Sequence, residues 1–269
     1  MKKKLAVLGV GNMAKAILGG LVSTETSLSD FFLFDKNTVQ YETVPKGFGT
    51  YHFARSITEA VSSSDCVLLS VKPQNFTEIL SEITHAEDFN SKLYISIAAG
   101  IEAETISQQL NGAKVVRVLP NLPMTIGMGV TLICKNDSVS QADMELIQNI
   151  FASSGSYLMI EETDMNRLIG VTSSSPAYVF QFADAIYQGA LAQGLSSDHL
   201  MDVICDMIIG SATLLKQSGE LPQDLIAKVA SKGGTTERAI QVLKDRQINQ
   251  IVTDAMIACT NRADELGKK

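Results

Sequence analysis

At 269 residues the chain has room for one or two domains, and 45% hydrophobic against 19% charged residues gives a packed core, not a disordered chain. Twenty-two Lys and Arg against 29 Asp and Glu leave a net charge of −7, with no basic cluster beyond the amino terminus, which argues against nucleic acid as a partner. The longest apolar runs fall far short of the ~20 residues that span a bilayer, and the run at residues 5–10 meets Gly11 and Asn12 too early for a signal-peptide core. A soluble cytoplasmic protein with no membrane partner is expected.

The first predicted strand, residues 5–10, runs straight into Gly9-Val10-Gly11-Asn12-Met13-Ala14, which opens a helix predicted over residues 13–22. In that setting Gly9 permits a tight turn, Gly11 lets backbone approach a pyrophosphate, and Ala14 lets helix and sheet pack closely. Unpaired N–H groups at the helix start then face the anion. A second strand, residues 31–34, ends in Asp35, where an acidic residue accepts hydrogen bonds from ribose hydroxyls and favours NADH. Lys36 and Asn37 follow at once and would hold the extra phosphate of NADPH if Asp35 swung away. Both cofactors therefore stay open.

Strands over residues 66–71, 93–97, 115–119 and 130–134 alternate with helices over residues 57–62, 76–83, 104–110 and 142–151. Several of these strands are apolar at every position, as parallel strands buried on both faces are. The alternation predicts βαβ units and an α/β, doubly wound sheet. Small or polar residues gather at the strand ends, where such a sheet binds its ligand: Val71, Lys72 and Pro73, then Ala98, Ala99 and Gly100, then Asn121 in the rigid turn Pro120-Asn121-Leu122-Pro123.

From about residue 164 the strand signal stops. Helices are predicted over residues 166–170 and 177–193, then from a cap at Ser196-Ser197-Asp198 to residue 217, then over residues 223–230, 235–244 and 250–266. The change of periodicity divides the chain into a Rossmann-like domain, residues 1–161, and an all-helical domain, residues 162–269. Val203, Ile204, Met207, Ile208, Ile209, Leu214 and Leu215 surround most of one helix, and a helix apolar all round must be buried. About a hundred residues of helix cannot bury that much alone. A homodimer through these helices is expected; a compact monomeric bundle is the alternative on the same residues.

Between two of the helices lies Ser231-Lys232-Gly233-Gly234-Thr235-Thr236. The glycines allow N–H groups to point inward as an anion-binding nest, and Ser231, Thr235 and Thr236 add hydroxyl donors at a helix start. These residues predict a carboxylate cradle of neutral donors; a plain turn with a threonine cap is the alternative on the same residues. Cys66, Cys134, Cys205 and Cys259, and His52, His85 and His199, show no metal-ligand or triad spacing. The cysteines are expected to be small buried hydrophobes in a reducing compartment, with no metal bound.

These segments resemble the pyrroline-5-carboxylate reductase family from end to end. The resemblance is carried by Gly9 to Met13, Val71-Lys72-Pro73-Gln74, Ser96 to Ile101, Arg117-Val118-Leu119-Pro120-Asn121, Pro176-Ala177-Tyr178, and above all Ser231 to Ile240. It implies a Rossmann-like domain followed by a helical dimerisation domain, with dimers often assembled into rings. It further implies reduction of 1-pyrroline-5-carboxylate to L-proline by NADPH or NADH. On that resemblance Ser231, Gly233, Gly234, Thr235 and Thr236 hold the substrate, with Thr236 as the candidate catalytic hydrogen-bond donor to the ring nitrogen. Gly9 to Ala14, Asp35 to Asn37 and Val71 to Pro73, with Ala98 and Asn121, hold the cofactor. A protonated cyclic imine accepts hydride readily, so the protein has chiefly to hold and orient two rings.

The chain also departs from the family pattern. Ser173-Ser174-Ser175 stands where a Gly-Ser-Gly run is usual, Lys232 where Pro is usual, and Leu122 where Thr is usual; crowding is expected at Ser173 and Ser175. Two further readings fit a Rossmann domain with a helical partner. A β-hydroxyacid dehydrogenase or imine reductase would carry a lysine after the boundary, but residues 170–178 contain none. A weakly active regulatory paralogue is suggested by the serine run alone.

Overall fold

The computed structural model describes residues 2–21, 27–47 and 49–267. Val22, the end of the first predicted helix, and the terminal Met1, Lys268 and Lys269 of the predicted domains lie outside the described residues. Eight strands form one sheet: β1 (Lys3–Leu8), β2 (Leu28–Phe34), β3 (Thr50–Phe53), β4 (Cys66–Leu69), β5 (Leu93–Ser96), β6 (Lys114–Leu119), β7 (Gly129–Lys135) and β8 (Gly155–Met159). Their order is β3-β2-β1-β4-β5-β6-β7-β8. Every neighbouring pair is parallel except the antiparallel β6–β7. The chain leaves β1 towards one edge and returns at β4 on its other side, so the strand order reverses between β1 and β4, the place where doubly wound sheets bind ligands.

The continuous apolar runs have a simple cause. Leu5 and Val7 of β1, with Cys66 and Leu68 of β4, join a core formed with Ile17, Leu18 and Leu21 of α1 (Asn12–Leu21) and Ile147, Ile150 and Phe151 of α5 (Gln141–Ala152). Their neighbours Ala6, Leu8, Val67 and Leu69 join a second core. There they pack with α2 (Ile57–Ser62), α3 (Phe76–Ile83) and α4 (Ala103–Gln109). Side chains alternate across a strand, so a sheet covered on both faces needs apolar residues at every position. Sequence periodicity does not reveal β3 and β8. Both are edge strands with mostly exposed side chains, and half-covered edges carry no such run.

Ser140 caps α5 in a reciprocal capping box with Asp143, whose carboxylate also lies 2.9 Å from the Lys114 ammonium. Burial raises the Asp143 carboxyl, but the Ser140 hydroxyl and Lys114 outweigh it and hold it below the ordinary value. A depressed folded value means its contribution is complete above the unfolded value and is lost as pH falls through the folded one. Asp143→Asn is therefore expected to cost about 1–2 kcal/mol at neutral pH. Its deficit relative to the parent should vanish in strong acid, as denaturant unfolding at several pH values would show.

Seven helices follow the sheet: α6 (Glu162–Met165), α7 (Ile169–Thr172), α8 (Ser175–Ala192), α9 (Leu200–Ser218), α10 (Pro222–Val229), α11 (Thr235–Asp245) and α12 (Ile248–Gly267). The cap of α9 falls on His199 without a side-chain bond; Ser197 accepts from the His199 N–H instead. By compactness the chain forms one unit from Met1–Ser174 with Ile257–Lys269 and another from Ser175–Met256. This division is distinct from the change of periodicity at residue 161, because α6 and α7 pack with the sheet unit, Met165 and Ile169 beside Leu119 and Leu132.

Among the described residues of the second unit only Ile204 is buried. Phe180, Val203, Ile209, Leu214 and Val229 are all more than half exposed within the single chain. The expectation of four buried cysteines holds for two. Burial pushes the Cys66 and Cys134 thiols up to about 12, whereas Cys259 is half-buried and Cys205 lies exposed on α9. No helix among the described residues is long and apolar enough to cross a membrane.

Candidate cofactor cleft and carboxylate cradle

Gly9 has φ +89°, and a Cβ there would lie 2.5 Å from the Ser70 carbonyl oxygen, so the turn from β1 into α1 requires glycine twice over. At Gly11 a Cβ would meet nothing within 4 Å, which leaves the outer side of the loop open. Asp35, just beyond β2, fastens this loop: one carboxylate oxygen accepts from the Val10 N–H at 2.7 Å and the other from the Asn37 N–H at 2.8 Å. The Lys36 ammonium lies 2.9 Å from Glu78.

These residues border a cleft of about 330 Å³ at the reversal of strand order. Of the residues expected to hold a cofactor, Gly9, Gly11, Asp35, Lys36, Val71 and Lys72 line it. Ser70, which opens the predicted ligand-edge loop Ser70-Val71-Lys72-Pro73-Gln74, lines it as well. Leu8, Phe34, Asn75 and Ile79 also line it and escape the sequence reading, although Asn75 follows Lys72 in the turn Pro73–Asn75. Asn12, Met13, Ala14, Asn37, Pro73, Ala98 and Asn121 are not part of its lining. Ala14 is fully buried where α1 meets the sheet, and Asn37 caps the turn Thr38–Thr43 by accepting from the Val39 N–H. Asn121 is buried at the end of β6, donating to the Thr172 carbonyl at 3.0 Å and accepting from the Val130 N–H at 2.9 Å. That amide holds the chain around its own turn. The open loop at Gly11, the helix start and the carboxylate at Asp35 together fit a dinucleotide.

The small run at the end of β5 has another use at Gly100. Its φ is +81°, and a Cβ there would lie 2.2 Å from the Ala263 carbonyl of α12. Ser173, expected to crowd, is accommodated: its hydroxyl donates to the Pro120 carbonyl at 3.2 Å. Arg117 is buried on β6 and reaches Glu162 at 2.7 Å, which gives that residue a packing role.

The turn before α11 departs from the expected nest. The Gly234 N–H donates to the Ser231 carbonyl at 2.9 Å, and the Gly233 N–H donates to the Glu237 carboxylate at 2.7 Å. Gly233 has φ +77°, and a Cβ at Gly234 would lie 2.7 Å from the Ser231 hydroxyl oxygen, so both glycines serve the turn itself. The donors left open are others. Among the described residues the hydroxyls of Ser231, Thr235 and Thr236 have no partner, and no side chain caps α11. Its first N–H groups are therefore available, and together they form a short row of neutral donors at a helix start. Glu237, with its carboxylate on the Gly233 N–H, shows that this turn accepts a carboxylate.

Residues 162–266 match the family described as pyrroline-5-carboxylate reductase dimerisation, and residues 4–100 match that described as NADP oxidoreductase, coenzyme F420-dependent. The pyrroline-5-carboxylate reductase of Escherichia coli strain K12 is 33% identical over 270 residues, with 100% of both chains covered. The chain belongs to the pyrroline-5-carboxylate reductase family. Solved structures agree with this membership. The Plasmodium falciparum pyrroline carboxylate reductase with NADP bound superposes with a TM-score of 0.85 at 25% identity, covering 99% of each chain. The 1-pyrroline-5-carboxylate reductase of Streptococcus pyogenes gives 0.86 at 25% identity, covering 98% of each.

Proposed function

We propose that this chain reduces 1-pyrroline-5-carboxylate to L-proline with NADPH or NADH, in the cytoplasm. The observation that carries this reading is the match to the Escherichia coli reductase along the whole of both chains. Two of the four cysteines, Cys66 and Cys134, are buried thiols, which suits a reducing compartment.

The nicotinamide cofactor, when bound, supplies the hydride that the imine carbon accepts. This chain's residues do the remaining work. Gly9, Gly11 and Asp35 would hold the dinucleotide, the first by making the tight turn, the second by an open backbone, and the third by a carboxylate able to accept from ribose hydroxyls. The open N–H groups of α11, with the Ser231 and Thr235 hydroxyls, hold the substrate carboxylate. The Thr236 hydroxyl donates a hydrogen bond to the ring nitrogen. It orients the imine and does not supply the proton, because an alcohol near its ordinary acidity is a poor acid. The neutral imine nitrogen would accept that hydrogen bond and take its proton from water, while the imine carbon would receive the hydride, giving proline and the oxidised cofactor. Such chemistry depends on position and requires no histidine or lysine–carboxylate pair at the reacting ring.

An assay following NADPH or NADH oxidation with pyrroline-5-carboxylate tests the reading: steady turnover is expected. Turnover only with another imine or carbonyl, or dinucleotide binding without turnover, would overturn it.

Residues 162–269 serve in this reading as the dimerisation and substrate-binding domain, after a dinucleotide-binding domain of residues 1–161, and the dimers assemble further into rings. The exposed apolar surface of the second unit supports this, since large contiguous apolar patches mark interfaces. Ile209 is 62% exposed in the middle of α9. Ile209→Asp is expected to move the assembly to monomer at micromolar concentration, as light scattering coupled to gel filtration would show.

A further inference from the structure

We infer that this chain prefers NADH to NADPH, and that Asp35 sets the preference. The inference rests on reading the cleft at Gly9 and Gly11 as the dinucleotide site. A chain that takes NADPH needs room and positive charge for a phosphate on the adenosine ribose; one that takes NADH needs an acceptor for the ribose hydroxyls.

Asp35 lines the cleft beside Gly9 and Gly11, and its position is fixed. The carboxylate is held at both oxygens, by the Val10 N–H at 2.7 Å and the Asn37 N–H at 2.8 Å. Swinging away to admit a phosphate would leave two backbone donors without an acceptor and release the loop that carries Gly11. Each oxygen retains a lone pair, which suits the ribose hydroxyls as donors.

Lys72 lines the cleft, its ammonium without a partner among the described residues, but the groups next to Asp35 that would receive a phosphate are engaged elsewhere. The Lys36 ammonium is paired with Glu78 at 2.9 Å, and Glu82 adds to the negative field around it. The Asn37 side-chain oxygen accepts from the Val39 N–H, so that side chain serves its own turn. Lys15, which reaches the same turn, donates to Gln40 at 2.7 Å and Thr43 at 2.6 Å. No arginine is among the described residues that line the cleft. A phosphate placed beside Asp35 would meet a fixed carboxylate and, in Lys36, a cation already paired with Glu78.

The test measures dissociation constants for NADH and NADPH by quenching of intrinsic tyrosine fluorescence and by ligand-induced shifts in melting temperature, with no substrate present. It uses the parent chain, Asp35→Asn and Asp35→Ser. Asp35→Asn keeps an acceptor for one backbone N–H, so a folded loop is retained even if the serine variant is unstable. The parent is expected to bind NADH at least about tenfold more tightly than NADPH. The asparagine variant should narrow that ratio by about tenfold, mainly through tighter NADPH binding. Equal or tighter binding of NADPH by the parent, or an unchanged ratio in Asp35→Asn, would overturn the inference. Failure of the folded parent to bind either dinucleotide would overturn the cleft reading itself, and the inference with it.

Discussion

Thr236→Ala is expected to lower kcat/KM for pyrroline-5-carboxylate about a hundredfold while leaving dinucleotide affinity unchanged. The Thr236 hydroxyl is half-buried at the start of α11 and has no partner among the described residues, so its removal disturbs no bond within the chain. What is lost is a donor to the reacting ring, and one such donor contributes about 2–3 kcal/mol where charge changes during reaction. Thr236→Ser should recover most of the loss, because it restores the hydroxyl at the same carbon. Steady-state kinetics on both variants, with cofactor binding measured separately, checks the result. An alanine variant as fast as the parent would remove the role assigned to this residue.

Gly9→Ala should nearly abolish dinucleotide binding and destabilise the fold as well. A side chain at φ +89° is strained, and its Cβ would lie 2.5 Å from the Ser70 carbonyl oxygen, where backbone cannot easily retreat. The conformation alone costs about 1–3 kcal/mol, and moving β4's continuation away adds to it. The expected result is a melting temperature lower by several degrees and no fluorescence change on adding NADH. Gly11→Ala makes the useful contrast. A Cβ at Gly11 meets nothing within 4 Å in the chain, so stability should be almost unaffected while affinity falls. Circular-dichroism melting and a binding titration on the two variants separate the roles of the glycines.

How much of this could be read from the sequence depended on whether a residue's environment was local. β1 and β4 were legible because a strand covered on both faces must be apolar throughout, and α1 because it follows Gly9 directly. β3 and β8 lie at the sheet edges, and residues such as His52 and Ser156 give no run to recognise. Asp35 was legible since it ends a strand; Phe34 and Ile79 were not, since each reads as an ordinary apolar member of its strand or helix until the fold brings both to the cleft. Glu237 illustrates a signal that was present. A carboxylate three residues past a helix cap often reaches back to an N–H, and here it takes the Gly233 donor that the glycine pattern assigned to a ligand. The return of residues 257–269 to the sheet unit, with Gly100 against Ala263, depends on contacts more than 150 positions apart and has no local signature.

The central claim is that neutral donors at the start of α11 hold a small carboxylate. A crystal structure of the protein with proline bound tests it most directly. The account predicts the proline carboxylate within hydrogen-bonding distance of the first N–H groups of α11 and of the Ser231 or Thr235 hydroxyl. An empty turn, with the amino acid bound elsewhere in the chain or not at all, would contradict it.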